Sequence, residues 1–175
     1  MKKLIYSIIL FLVAGVLTVT ALEFSSSYVI SEHINVLAPV KTKKSIIIQA
    51  SPQKVWEIMS DVSRWATWQK DITNPKIKGP FQKGNSFTWE TGGLNIKSTI
   101  HQAAPYKKIG WSGPAFGSFA IHNWSFTALP GGFTQVNVEE SMEGWLVKLL
   151  QGKFQTTLDI SLDKWLAALK LAAEK

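Results

Sequence analysis

The sequence predicts an α+β protein in which one long amphipathic helix lies on a face of an antiparallel sheet. Three observations carry this. From about Ile72 to Ser141 the hydropathy alternates with period two and is broken at short intervals by turn residues, so consecutive strands must run antiparallel, because the turns are too short for crossovers. From Gly144 to Lys175 apolar residues recur every three or four positions, the mark of a helix with one buried stripe. The sheet and the helix then need each other to cover their apolar faces.

Taken in chain order, Met1-Lys2-Lys3 precedes an uncharged run from Leu4 to Leu22. Lysines followed by an apolar run are the layout of an export signal or a membrane anchor. The run is longer than a typical signal core and approaches the roughly 20 residues that cross a bilayer. This favours an uncleaved single-pass anchor, with residues 1–22 as the anchor segment and the lysines on the cytoplasmic side. The rest of the chain then lies outside the cytoplasm. Val19-Thr20-Ala21 offers a small-residue cleavage site, and cleavage near Ala21 is the alternative, giving a secreted or periplasmic protein. Residues 23–43 read as a linker, with Ser25-Ser26-Ser27, Pro39 and three lysines near its end. Residues 44–175 form the folded domain.

Ser45–Ala50 is short, β-branched and apolar and reads as a strand. Ser51 is placed to cap a helix with Pro52 at its first position, carrying Val55, Ile58 and Met59 on one side. Asp61 caps a second short helix ending near Trp68. Trp56 and Trp65 pack beneath these two helices, and Trp68 faces an entrance. Strands follow at Lys76–Lys78, Ser86–Thr91, Leu94–Ala103, Lys108–Ser112, Phe119–Ala128 and Thr134–Ser141. Gly92-Gly93 makes a hairpin turn, Gly113–Gly117 a loop and Pro130-Gly131-Gly132 a turn. In the last helix Leu146, Leu150, Phe154, Leu158, Ser161, Trp165 and Leu169 share a stripe, with a kink or break at Gly152.

Composition excludes several classes. With no cysteine among the 175 residues, there is no disulfide, zinc thiolate or thiol nucleophile. Net charge is +7, and Arg64 is the one arginine among 19 basic residues. Base readout and phosphate forks favour arginine's planar donor array, so nucleic acid is not the expected partner. His33, His101 and His122 have no metal-ligand spacing, and no metal or cofactor is expected. Nucleophile elbows, phosphate loops and dinucleotide fingerprints are missing. Asn123-Trp124-Ser125 matches a glycosylation sequon, but mid-strand it is a chance match.

Several stretches together carry a family likeness: "SIIIQASPQKVWEIMSDVSRWATW", "GPFQKGNSFTW", "PYKKIGWSG", "HNWSFTALPGGFTQVNVEESMEG" and "LDKWLAALKLAAEK". The chain from about Lys44 to Lys175 resembles the START-like SRPBCC superfamily, in particular its polyketide cyclase/dehydrase-type members, and among them those with a membrane anchor. The resemblance implies the helix-grip fold, a curved antiparallel sheet wrapped around the C-terminal helix with a hollow for an apolar ligand between them. Such a hollow is the usual form of a small-molecule site.

The residues expected to face it are Trp89, Ile96, Ser98, Trp111, His122, Trp124 and Glu140 from the strands. Phe154, Leu158, Ser161 and Trp165 join them from the helix, with Trp68 as a lid. His122 and Glu140 lie on the same predicted face of neighbouring strands, where they form an acid–base pair or a polar anchor. An ionised carboxylate in an apolar wall is costly unless paired. Three functions are open at this point. The first is a membrane-tethered domain that binds a lipid, fatty acid or aromatic compound. The second is a cyclase- or dehydratase-type enzyme using His122 and Glu140. The third is a protein-interaction module with a filled core.

Overall fold

The computed structural model describes residues 2–175. The elements run α1 (Lys2–Ser25), β1 (Val40–Ile48), α2 (Pro52–Ser60), α3 (Trp65–Trp68), β2 (Thr73–Ile77), β3 (Ser86–Thr91), β4 (Leu94–Ala104), β5 (Lys108–Ala115), β6 (Ser118–Leu129), β7 (Phe133–Glu143), α4 (Trp145–Leu149) and α5 (Gln151–Ala173). The seven strands form one sheet in the order β1-β7-β6-β5-β4-β3-β2, antiparallel throughout. This is the expected α+β helix-grip architecture: a curved sheet, short helices after the first strand, a long C-terminal helix and an apolar N-terminal helix.

Local chemistry explains the breaks. Ser51 is extended (φ −67°, ψ 152°) and its hydroxyl accepts from the Lys54 N–H at 3.2 Å, with Pro52 opening α2. Both satisfy the exposed first turn. Asp61 does not cap as expected. Its side chain makes no capping bond, and a single 3₁₀ turn over Val62–Arg64 carries the chain into α3. The expected break at Gly152 lies instead at Leu150, whose φ −119° and ψ 35° separate α4 from α5, while Gly152 sits inside α5.

Strand ends also move. β1 starts at Val40, five residues before the expected Ser45, so the last residues of the expected linker 23–43 belong to the sheet. The expected loop Gly113–Gly117 shrinks to the turn Phe116-Gly117, because β5 runs on to Ala115 paired with β6. Pro114 is tolerated there because it lies beyond Ser112, the last β5 residue paired with β4, where a missing N–H on that side costs no ladder bond.

The two sheet edges are protected differently. β2 is five residues long, contains Pro75 and shifts register between Thr73 and Lys76, features that discourage further pairing. β1 is shielded by α5. Lys41 N–H donates to Gln155, the Thr42 hydroxyl to Asp159 (2.6 Å), Lys44 to Asp163 (2.6 Å), and Gln49 N–H to Glu174 (2.7 Å). From Lys41 to Gln49 is about 26 Å of strand, and from Gln155 to Glu174 about 28 Å of helix, so helix and edge run side by side in step. The Thr42 hydroxyl holds the Asp159 carboxyl below its usual range, and the Gln49 N–H does the same for Glu174.

The residues between α1 and β1 are tied to the sheet rather than free. Tyr28 stacks on Phe119 (centroids 5.0 Å apart, 5° between planes), Asn35 N–H donates to Ser141 Oγ (3.0 Å), and Asn123 Nδ2 donates to the Glu32 carbonyl (3.0 Å). This strap covers the outer face of β6 and β7, which is why Phe119, Ile121 and Asn123 are buried although they point away from the core.

The register assigns the turns to two ends of the sheet. The β3–β4 turn, the β5–β6 turn and the β7–α4 junction lie at one end. The β4–β5 turn, the β6–β7 turn and the start of α2 lie at the other, where the Thr134 hydroxyl donates to the Ala50 carbonyl at 2.6 Å.

Candidate functional site

The interior is half filled. At the α2–α3 end the tryptophans form a plug. Trp65, fully buried, packs against Trp165 (5.2 Å), Phe87 (5.2 Å), Trp111 (5.3 Å) and Trp89 (6.2 Å), and its indole N–H donates to the Met59 carbonyl at 2.9 Å. Such edge-to-face and tilted contacts add to plain area burial. Trp65 is therefore core, as expected. Trp56 is not: it is half-buried and packs edge-on against Tyr106 at 5.7 Å, because on α2 the inward positions are taken by Val55 and Met59.

Beyond the plug lies a cavity of about 540 Å³, enclosed by β3–β7 on one side and α4–α5 on the other. That is within the roughly 300–1,000 Å³ of small-molecule sites. Trp89, Ile96, Ser98, Trp111, His122, Trp124, Glu140, Phe154, Leu158, Ser161 and Trp165 all line it. Strand alternation brings the first seven together from five strands, β3 to β7, and helical spacing the last four from α5. Trp68 does not line it. The last residue of α3, it packs edge-on behind Trp165 at 5.5 Å, on the plug side, which removes the expected lid.

The mouth is at the other end, among Leu94, Phe116, Leu150 and Lys153. None was expected as a pocket residue: Phe116 falls in a turn, Lys153 is charged, and Leu94 and Leu150, though in the expected strand and helical stripe, stand at element ends where burial is not set by periodicity. Ser118 and Met142 were missed for a different reason: they continue the alternation of His122 and Glu140 beyond the strand ends expected from sequence.

The wall is apolar with few polar points. Trp89 Nε1 donates to Ser98 Oγ at 3.0 Å. The indole N–H groups of Trp111 and Trp124 are buried without a partner, which costs about 1–3 kcal/mol each. The main polar feature is His122 and Glu140. They are direct cross-strand partners, Nδ1 to Oε2 at 2.7 Å, with side chains 15% and 4% exposed. A carboxylate only accepts, so the proton of this bond sits on Nδ1. His122 also stacks on Trp111 (5.1 Å, 19°), which fixes the ring plane. Nε2 is then the polar atom that His122 can offer to the cavity.

On the outer face of the sheet a second buried histidine serves a different purpose. His101 sits at the β4 bulge, with Nε2 2.8 Å from Asn123 Oδ1 and Nδ1 3.3 Å from Ser112 Oγ. Burial lowers its pKa below 6.5. Among the described residues no group of three or more His, Asp or Glu side chains is placed to hold a metal ion.

With this geometry in hand, comparison with known proteins is decisive for the family. Residues 39–174 match the family described as polyketide cyclase / dehydrase and lipid transport. The chain belongs to that family. No curated protein matches it. Solved structures share its fold. The hypothetical protein jhp0584 from Helicobacter pylori has a TM-score of 0.71 at 17% identity, covering 84% of this chain and 99% of that one. A START superfamily protein from Mycobacterium smegmatis gives 0.67 at 15% identity, covering 77% and 97%. The Zhui aromatase/cyclase from Streptomyces sp. R1128 gives 0.68 at 14% identity, covering 77% and 93%. At these identities the likeness extends to the fold alone.

Proposed function

We propose that this protein is a membrane-tethered domain, held outside the cytoplasm by α1, that binds a small apolar molecule between sheet and α5. The ligand class is a lipid, a fatty acid or an aromatic compound. The observation that carries the reading is the cavity itself: about 540 Å³ of space bounded by indole rings, leucines and one hydrogen-bonded His–Glu pair. A filled core, the requirement of a pure interaction module, does not describe this interior. The tether rests on α1, 24 residues long, apolar, with none of its side chains buried. The family description names lipid transport beside cyclase and dehydrase chemistry, and both fit a hollow of this kind.

Native mass spectrometry of the full chain ejected from lipid nanodiscs tests the reading. A bound apolar adduct at unit stoichiometry is the expected result. A bare chain that also takes up no added fatty acid or naphthalene dye contradicts it.

One observation favours a second reading. The base–orienter geometry of His122 and Glu140, with Nε2 free to reach a bound carbonyl compound, is that of a general acid–base pair. In a cyclase- or dehydratase-type enzyme Glu140 would orient and stabilise the imidazolium while Nε2 moved the substrate proton.

A further inference from the structure

The last turn of α1 is fastened to the cavity rim. The Glu23 carboxylate accepts from the Gly117 N–H (Oε2 at 3.1 Å, Oε1 at 3.4 Å) and from the Trp145 indole N–H (2.9 Å). Gly117 lies in the β5–β6 turn and Trp145 opens α4, so one side chain of α1 ties together two elements that border the mouth. The junction is tight. Gly117 has φ +66°, and a Cβ there would lie 2.6 Å from Leu146 Cβ and 2.9 Å from the Trp145 ring. A Cβ on Gly144 would strike the Gly117 carbonyl.

Around this fastening the surface is apolar with a basic edge. Leu94 (47% exposed), Phe116 (54%), Leu149 (71%) and Leu150 (40%) stand out from the protein, and Phe116 packs edge-on to Trp145 at 5.6 Å. Lys148 and Lys153 are exposed beside them. The strand register puts the β3–β4 turn, the β5–β6 turn and α4 at the same end of the sheet, so these side chains share one face. An exposed apolar cluster of this kind marks an interaction surface.

The position of α1 says what covers it. A helix of 24 residues is about 36 Å long, enough to cross a hydrocarbon core of about 30 Å. Once it spans, Glu23 near its C-terminal end stands at the headgroup layer, and whatever Glu23 holds stands there too. Tryptophan and lysine suit that layer, the first with an apolar body and polar tip, the second pairing with phosphate.

Resting on the tether reading above, we propose that Glu23 latches α1 to the cavity rim and thereby holds the mouth against the lipid bilayer. Phe116, Leu149, Leu150 and Leu94 dip below the headgroups, and Lys148 and Lys153 meet anionic phosphates. An acyl chain then passes between bilayer and cavity without crossing water.

The absence of native cysteine allows a direct test. Full chains carrying one nitroxide at Phe116→Cys, Leu149→Cys, Lys54→Cys or Leu12→Cys are reconstituted in phosphatidylcholine/phosphatidylglycerol vesicles. Collisions with oxygen and with a water-soluble nickel chelate are then measured by electron paramagnetic resonance. Lys54, on α2 at the opposite end of the sheet, is the aqueous reference, and Leu12 reports insertion of α1. The oxygen-to-nickel ratio at 116 and 149 is expected to exceed that at 54 several-fold, and to fall to the value at 54 when Glu23→Ala is added. Water-like ratios at 116 and 149 with Leu12→Cys immersed overturn the docking while leaving the tether intact. A water-like ratio at Leu12→Cys removes the tether and the docking with it. Unchanged depth in the Glu23→Ala chain overturns the latch. Cavity binding is read separately by mass spectrometry, so its failure is distinguishable from each of these.

Discussion

At the residue scale the balance lies in one hydrogen bond. The His122–Glu140 pair is enclosed on the cavity wall, 2.7 Å apart and flanked by Trp111 and Trp124. Breaking it leaves one polar group unpaired in apolar surroundings, which costs about 1–3 kcal/mol. As an anchor, the pair presents Nε2 to a ligand's carboxyl or carbonyl. His122→Ala is then expected to weaken fatty-acid affinity by about tenfold, as one lost hydrogen bond of about 1.4 kcal/mol requires. Isothermal titration of the full chain checks this. If affinity holds while turnover of a carbonyl substrate disappears, the pair is catalytic. Both residues were legible in the sequence, because alternation put them on one face of adjacent strands. So was their pairing, but not that they are direct cross-strand partners, since register across a hairpin depends on where each strand ends.

At the element scale the strap between α1 and β1 sets a pH response. It covers the outer face, where His101 packs against Asn123 and Ser112, and Asn123 in turn holds the Glu32 carbonyl. Glu32 is paired with Lys83, and His122 lies across the sheet. Burial lowers the His101 pKa, with the Asn123 bond opposing the shift. The unfolded chain therefore binds a proton that the folded one refuses. Stability is held above the ordinary histidine value near 6.5, and is lost as pH falls from there through the depressed folded value. The melting temperature of the full chain is expected to drop across that window, and the drop should shrink in His101→Gln. An unchanged slope in the variant would contradict this assignment.

The same strap shows where sequence reasoning runs out. Residues 26–39 have no periodicity because they form no regular element; single contacts such as Tyr28 on Phe119 hold them. β1, by contrast, was recognisable only from Ser45 onward, because Lys41 and Lys43 on its exposed face and Lys44, which turns the other way to pair with Asp163, leave no apolar pattern there. The capped start of α2 was readable because Ser51-Pro52 acts locally. The Leu150 break was not, as nothing in leucine itself stops a helix.

At the scale of the whole molecule, the architecture divides the interior into a plug and a vacancy. The order of strands and helices was open to inspection in the sequence, since period and turn chemistry act over short distances. Eleven of the twelve expected pocket residues line the cavity for the same reason. Trp68 does not, because Trp165, held by Trp65 and Trp89, stands between it and the cavity, a packing that periodicity does not reveal. The vacancy is an end-on one, opening where α1 is fastened, which gives the molecule a direction: plug away from Glu23, mouth toward it.

Photo-crosslinking tests this account most directly. The full chain in nanodiscs is loaded with a diazirine-bearing fatty acid, irradiated and mapped by peptide mass spectrometry. The account predicts adducts on Ile96, Phe154 and Leu158, and fewer of them in Leu158→Trp, which narrows the hollow with an indole while α1 stays labelled. Adducts confined to residues 4–22 in the unaltered chain would contradict it.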